Sequence, residues 1–391
     1  MSELTIPGFA ADPFTRDNIR NGIAFAGEMR ETAPVVLLEK YGCYATGRHS
    51  FATAILSNWK AFTSQIKAFG PRPFIQSILV AEDPPEHTRV RQPMMKLFTP
   101  VALSRYRERF DREAEALVDR VLQMGTVDAV ADLGAAFVLK VFPDLLGISE
   151  KGREHLVPYG DICFNSSMPL NDIYEHSLAQ SAESIAWVER QCDRAAVTSD
   201  GLAAEIYAMG DRGEITADDA TMMVRVMLAA GYDTTILSLV GGLYAFSRFP
   251  DQWDQLRADP SLAKNAFEES VRFDPPSRFL GRGVSEDIEV EGVQFKKGDR
   301  IACFLSGAGR DPRRWQNPDS FDLQRKTGGH VSFGHGIHMC LGQAMARLEF
   351  ISLFTALAKR VKRIEPMGEP SRIINNQACG YEHLPLKLHA E

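Results

Sequence analysis

Ten residues, Phe333-Gly334-His335-Gly336-Ile337-His338-Met339-Cys340-Leu341-Gly342, form the segment of this chain best suited to chemistry. Gly334 and Gly336 permit backbone angles that other residues resist, so the chain can curl tightly ahead of the cysteine. Such a curl points several backbone N–H groups at one sulfur. An amphipathic helix, read over Leu341 to Arg360, follows, and the positive end of its dipole also favours an anion there. These features together lower a thiol's pKa and hold the thiolate, the form that binds a metal. The plain alternative is a buried core cysteine beside a glycine turn.

Three other segments carry reactive or charged groups at telling spacings. Ala230-Gly231-Tyr232-Asp233-Thr234-Thr235 puts an acid and two hydroxyls in the middle of an apolar helical pattern, where burying them is costly. That pattern runs from Ala217 to Ser247, about 45 Å if continuous. It opens on an acidic turn, Asp218-Asp219, and is apolar on nearly all faces, so it should cross the core. Thr234 can bond back to the Ala230 carbonyl and loosen the helix, while Gly231 lets a ligand approach the backbone closely. Glu269 and Arg272 lie one helical turn apart; as a surface pair they would contribute little. In Asp83-Pro84-Pro85-Glu86-His87-Thr88-Arg89-Val90-Arg91, the side chains of His87 and Arg91 share one helix face.

These segments together resemble the cytochrome P-450 family. The cysteine loop is similar to its haem-binding loop, which makes Cys340 the axial ligand of a haem b (iron protoporphyrin IX). Phe333, Gly334 and Gly342 then shape the loop, and Ala230 and Gly231 border the cofactor from the other side. A thiolate on haem iron favours O–O cleavage. Ala230 to Thr235 resembles the oxygen-binding motif A-G-x-D/E-T-T, which implies that Thr234 holds a hydrogen-bonded partner and Asp233 relays protons from solvent. Glu269-Ser270-Val271-Arg272, followed by Phe273-Asp274-Pro275-Pro276, resembles the E-x-x-R helix, with Arg325 as the second arginine of a bracing cluster. The segment from Asp83 resembles the start of the family's helix C. By this resemblance His87 and Arg91 hold one haem propionate, and Arg282 and His338 the other.

The implied activity is monooxygenation: one atom of O2 inserted into a small organic, aromatic substrate by hydroxylation or oxidative O-demethylation. A peroxygenase and a non-catalytic haem sensor are the competing readings, and the Asp233-Thr234 pair argues against both, since neither needs a proton relay. The motifs extend from about Asp83 to Gly342, and Gly380-Tyr381-Glu382-His383-Leu384-Pro385 also looks family-like. The chain is similar to the soluble bacterial members, which receive electrons from an iron–sulfur ferredoxin with an NAD(P)H-linked reductase. Arg89, Lys96, Arg105, Arg107, Arg109 and Arg112 are expected to steer that acidic partner. Within the family the resemblance is nearest to the branch that demethylates 4-methoxybenzoate and related aromatic acids. It rests on Ser77, Arg225 and Cys163-Phe164-Asn165, and it implies that Arg72, Ser77 and Arg225 hold a carboxylate. Val226, Ala229, Ser167 and Leu280 depart from that branch, so a neutral methoxyphenol is the alternative substrate.

The elements that must position these residues are mainly helical. Two strands are expected over Val35 to Thr46 about a turn at Tyr41-Gly42, then a helix over Ser50 to Asn58. Helices dominate from Pro84 to Pro250. A strand pair is read over Asp287 to Cys303 around Glu291-Gly292, and a late strand over Leu384 to Leu388. Gly309 to Gly329 shows little periodicity. No repeat or flexible linker divides the chain, so residues 1–391 read as one mainly α domain with small β sheets, an α+β fold. The 391 residues are 45% hydrophobic and 24% charged, as in a globular protein that can enclose a cofactor. A net charge of −7 disfavours nucleic acid and anionic membrane as partners. Met1 to Asp17 shows neither signal peptide nor anchor, and six cysteines without paired spacing fit a reducing cytoplasm.

Overall fold

The computed structural model describes residues 5–70, 77–166 and 169–391. It is 55% helical, with small sheets set against the helices. Eight helices matter for the site: α1 (Glu86–Leu97), α2 (Arg107–Met124), α3 (Leu156–Asn165), α4 (Asp172–Gln191), α5 (Ala217–Gly231), α6 (Asp233–Arg248), α7 (Ala263–Phe273) and α8 (Gln343–Arg360). The helix read over Ala217 to Ser247 is therefore two helices, separated at Tyr232 (φ −104°, ψ −48°). The break falls where Thr234 and Thr235 turn their hydroxyls onto the carbonyls of Ala230 (2.9 Å) and Gly231 (3.0 Å), a side-chain competition that bends helices.

The N-terminus of α5 is set by a capping box. Thr216 Oγ1 accepts from the Asp219 N–H (3.1 Å), and Asp219 Oδ2 accepts from the Thr216 N–H (2.9 Å). Asp219 also holds the Arg89 guanidinium at 2.6 Å, which ties α1 to the start of α5. Helices α6, α7 and α8 share an aromatic core: Phe267 and Phe350 lie 5.0 Å apart, and Phe350 stacks on Phe354 at 3.8 Å. Each such ring, fully buried, contributes on the order of 1.5–3 kcal/mol of hydrophobic free energy.

The larger sheet runs in the order Gly8–Phe9, Val36–Leu38, Cys43–Thr46, Arg300–Phe304, Phe279–Val284, Phe62–Thr63. Its Val36–Leu38 and Cys43–Thr46 strands pair antiparallel around Gly42 (φ 52°), as the sequence suggests. The helix after them covers His49–Ser57. Asp287 to Cys303 resolves differently from expectation: the turn at Glu291-Gly292 joins short strands Ile288–Val290 and Val293–Phe295, whereas Arg300–Phe304 pairs with Cys43–Thr46. Thr126–Asp128 interrupts the helical stretch and joins a three-stranded sheet with Val361–Pro366 and Pro385–Ala390. Residues 310–335 form no regular helix or strand.

Candidate functional site

The cysteine loop curls as its glycines allow. Gly334 (φ 74°) and Gly336 (φ 72°) take left-handed conformations, and a Cβ on Gly336 would lie 2.7 Å from the Leu56 carbonyl oxygen. The Cys340 N–H donates back to the Phe333 carbonyl (2.8 Å), which closes the loop, and Gly342 caps α8. The Phe333 ring packs 5.9 Å from Phe267, with the Arg347 guanidinium over it at 5.0 Å. Backbone N–H groups of Gly342 and Gln343 face Cys340 Sγ, and Arg91 and Arg347 lie near enough to favour its anion. Even so, burial outweighs these groups and pushes the thiol above its ordinary range, against the expectation of a lowered pKa. A metal would displace that proton, because it binds the thiolate alone.

Cys340 exposes surface although protein surrounds it, and Ala230 is exposed in the middle of a buried helical run. Around them lie donors with few acceptors. Arg282 is buried and donates only to the carbonyl of its neighbour Gly281 (2.8 Å); Arg91 donates only to the Met339 carbonyl. No carboxylate pairs with either among the described residues. His87 is buried with both ring nitrogens unpartnered. Burial, then the nearby His338 and Arg91, hold its pKa down at about 4. An uncompensated buried cation is costly, and a ligand bearing two carboxylates would relieve it. This donor set fits a haem. His338 is a partial correction: its Nδ1 contacts the Leu79 carbonyl (3.1 Å) and its Nε2 Asp83 Oδ1 (3.0 Å). Its ring packs 4.4 Å from that of His87, and both of its nitrogens already have partners.

Glu269, Arg272 and Arg325 come together. Arg272 donates to Glu269 through Nε (2.7 Å) and Nη2 (2.8 Å), and Arg325 Nε donates to Glu269 Oε1 (3.0 Å). The pair Glu269–Arg272 is completely buried, unlike the surface pair that its spacing alone suggests. A second, parallel cluster escaped the sequence reading. Glu268 accepts from Arg347 of α8 and lies 2.9 Å from His330, and Ser332 Oγ donates to the Val271 carbonyl (2.7 Å). Burial acts to raise Glu268, but His330 and Arg347 prevail and hold its pKa near 2. Glu268 thus braces the loop directly, while Glu269 braces the irregular segment before it.

In the segment Ala230 to Thr235 the structure separates what the sequence joined. Thr234 bonds back to Ala230, whereas Asp233 Oδ2 lies against Gly160 of α3. Burial and, less strongly, Asp161 raise the Asp233 carboxyl well above its ordinary range. Gly231 does not admit a ligand: a Cβ there would lie 2.1 Å from the Phe142 ring, so its missing side chain makes room for Phe142. Below the break sits Glu349 of α8, fully buried, with both oxygens unpartnered and its pKa pushed well up by burial. Thr235 lies beside it but spends its hydroxyl proton on the Gly231 carbonyl, so Glu349 has no donor there.

The substrate candidates are less gathered. Arg72 and Ser167 lie outside the described residues. Ser77 is buried, and among the described residues its hydroxyl has no partner. Arg225 contacts Glu189 of α4 at 3.6 Å, an internal carboxylate that competes with any ligand, and its Nε is buried without an acceptor. Val226 and Ala229 are buried, and Phe164 and Leu280 half-buried; a Cβ on Gly334 would sit 3.3 Å from Leu280, next to the cysteine loop. In the basic run Arg89 pairs with Asp219, Lys96 with Glu214, Arg105 with Glu205, Arg107 with Asp111, Arg109 with Asp144 and Arg112 with Glu108. Several of these are exposed surface pairs, such as Arg112–Glu108 at 3.9 Å, which leave the cations facing solvent.

Comparison with known proteins bears on the whole chain. The family profile of cytochrome P-450 matches residues 139–379. Cytochrome p450 CYP199A2 of Rhodopseudomonas palustris is 40% identical over 98% of this chain and 95% of its own length. The 6-deoxyerythronolide B hydroxylase of Saccharopolyspora erythraea is 29% identical over 98% of this chain and 99% of its own. The solved structure of cytochrome P-450 CYP109Q5 from Chondromyces apiculatus superposes with a TM-score of 0.82 at 25% identity, covering 98% of this chain and 99% of that one. The chain belongs to the cytochrome P-450 family and is one of its monooxygenases.

Proposed function

We propose that this protein holds haem b on Cys340, in one domain of the cytoplasm, and oxidises small para-substituted aromatic acids with electrons from a ferredoxin. The observation that carries the cofactor site is the closed cysteine loop beside His87, whose ring nitrogens have no partner among the described residues, and Arg91 and Arg282, which bond only backbone carbonyls there. When bound, that group supplies the activation of O2 and the insertion of one oxygen atom into the substrate. His87, Arg91 and Arg282 would hold its carboxylates. Phe333, Gly334 and Gly342 keep the loop in shape, and Glu269, Arg272 and Arg325 keep the preceding segment in place.

The chain's own residues then manage protons. Asp233 is half-buried against α3, and desolvation raises its carboxyl well above the ordinary range, which suits an acid that holds its proton until it is needed. Thr234 stands one residue on, its hydroxyl resting on the Ala230 carbonyl and able to turn to another acceptor. Thr234→Ala should still bind substrate and consume NAD(P)H, but release more hydrogen peroxide and less product. Asp233→Asn should slow turnover itself, by roughly 10²-fold or more if general-acid catalysis is its role. Measuring peroxide, product and NAD(P)H consumption together checks both. Unchanged coupling in the first variant with an unchanged rate in the second would remove both residues from the mechanism. Turnover with peroxide alone, equal to that with ferredoxin and O2, would favour a peroxygenase.

The substrate reading rests on the resemblance of Ser77, Phe164 and Arg225 to the branch that oxidises 4-methoxybenzoate-like acids. Among the described residues Ser77 brings a buried hydroxyl with no partner, and Arg225 an Nε without an acceptor. A charge-assisted contact to a carboxylate contributes about 1.5–3 kcal/mol, enough to orient a small ring. Glu189 opposes this by pairing with Arg225. The expected result is tighter binding of 4-methoxybenzoate than of 4-methoxytoluene by haem spin-state titration, with the preference lost in Arg225→Ala. Tighter binding of the neutral compound by the wild type would leave the aromatic pocket and end the carboxylate claim.

A further inference from the structure

Helix α3 runs past the break between α5 and α6, and Gly160 is the point of contact. A Cβ at Gly160 would lie 1.6 Å from Asp233 Oδ2 and 2.4 Å from Tyr232 Oη, where no atom fits. Gly160 sits inside a helix and is not among the glycines with positive φ, so its backbone would suit any residue. Glycine there is a poorer helix former than alanine. What it gains is a notch, and the group in the notch is the Asp233 carboxyl.

The rest of α3 is fixed around that notch. Tyr232 donates its hydroxyl proton to the Leu156 carbonyl, one turn before Gly160. Asp161 accepts from Asn375 Nδ2 (2.8 Å) at one oxygen and from Ser177 of α4 at the other. The Asn376 N–H donates to Asn165 Oδ1 (2.9 Å) at the far end of the helix. The titratable neighbours of Asp233 are Asp161, Cys163 and Tyr232, with Tyr159 next to them; no basic side chain acts on it among the described residues. A carboxyl so placed has no cation to draw off its proton.

We propose that Gly160 is a positioning residue for Asp233: its notch seats the carboxyl against α3, and Asp161, tied to Asn375 and Ser177, keeps a second acid beside it. The proposal rests on the relay reading of Asp233. It makes oxygen chemistry depend on how α3 is seated, because a displaced α3 would leave Asp233 without its notch. The same geometry raises the pKa of the carboxyl, burial being the larger cause and the neighbouring acid the smaller.

The test uses the haem-loaded full chain and two readouts. Infrared spectroscopy at neutral pH should show the carbonyl stretch of a protonated carboxylic acid that Asp233→Asn removes. Gly160→Ala, made with Tyr232→Phe so that the added methyl group meets Asp233 alone, should shift or abolish that band. It should also slow NAD(P)H consumption with 4-methoxybenzoate by roughly 10-fold or more while leaving the ferrous–CO spectrum in place. The same change in an Asp233→Ala, Tyr232→Phe background should cost nothing further. An unmoved band, or an equal loss of rate without Asp233, would overturn the proposal. Wild-type turnover in Asp233→Asn would instead sink the relay reading, leaving the infrared band to judge the seat. Should Gly160→Ala fail to fold, Asn375→Ala with Ser177→Ala leaves Asp161 only the longer bond from Asn165 Nδ2 (3.3 Å) without adding atoms, and an unmoved band there overturns the proposal.

Discussion

Cys340→His abolishes oxygenation and moves the ferrous–CO Soret band away from its strongly red-shifted, thiolate-type position. The loop explains why no neutral ligand can substitute. Two backbone N–H groups, from Gly342 and Gln343, face the sulfur, and Arg91 and Arg347 add positive potential. Hydrogen bonds to a charged acceptor contribute about 1.5–3 kcal/mol each, so the pair offsets much of the cost of burying an anion there. An imidazole accepts none of them and leaves the donors and both cations uncompensated. It also lacks the electron donation that a thiolate brings to O–O cleavage. Retention of the same band in Cys340→His would mean that another residue ligates the iron.

The parts of this site that the sequence reveals are those written contiguously. The cysteine loop needs its two glycines and its cysteine within seven residues, and the backbone there closes on itself through Phe333 and Cys340. Glu269 and Arg272 are legible for the same reason, although their spacing gives no hint that both are fully buried. The illegible parts depend on partners far along the chain. Glu268 meets His330 from 62 positions away and Arg347 from 79, and nothing local to Glu268 announces either. The partners of the basic run are hidden for this reason as well: the acids that pair with Arg89 and Lys96, Asp219 and Glu214, arrive from 130 and 118 positions away.

Helix periodicity hid two further features. An apolar pattern continues through Tyr232 because the residue is itself buried, so the break between α5 and α6 leaves no mark on hydrophobicity. Only the run of Asp233, Thr234 and Thr235 signals it, through side chains that compete for helix carbonyls. Gly160 and Gly231 are both glycines inside helices, which propensity alone counts as defects. Each is explained by a neighbour across a helix interface: Asp233 for Gly160, Phe142 for Gly231. The apolar length of Ala217–Arg248 would pass for a membrane span, but 67% of its most apolar window is buried in the fold.

Glu269→Ala is expected to destabilise the protein by about 3–5 kcal/mol, because it strands the Arg272 guanidinium, which has no exposed side-chain surface. Against a total stability of about 5–15 kcal/mol this approaches loss of the folded state. Glu269 satisfies four donors: Arg272 Nε and Nη2, Arg325 Nε and the Asp322 N–H (3.0 Å). Arg272 would keep the carbonyls of Gly309 (2.6 Å), Pro318 (2.9 Å) and Ser320 (3.1 Å), which accept hydrogen bonds but supply no counter-charge. Arg325→Ala should cost less, since Glu269 keeps Arg272 and the buried pair stays neutral. The discriminating variant is Glu269→Leu with Arg272→Met. Replacing both partners of a buried pair by apolar residues is often close to neutral, whereas removing one is not. Denaturant midpoints of soluble holoprotein should therefore rank wild type, then Arg325→Ala or the double variant, then Glu269→Ala lowest. A double variant no more stable than Glu269→Ala would show that the carboxylate's bonds to Arg325 and Asp322, and not the stranded charge, carry the cluster.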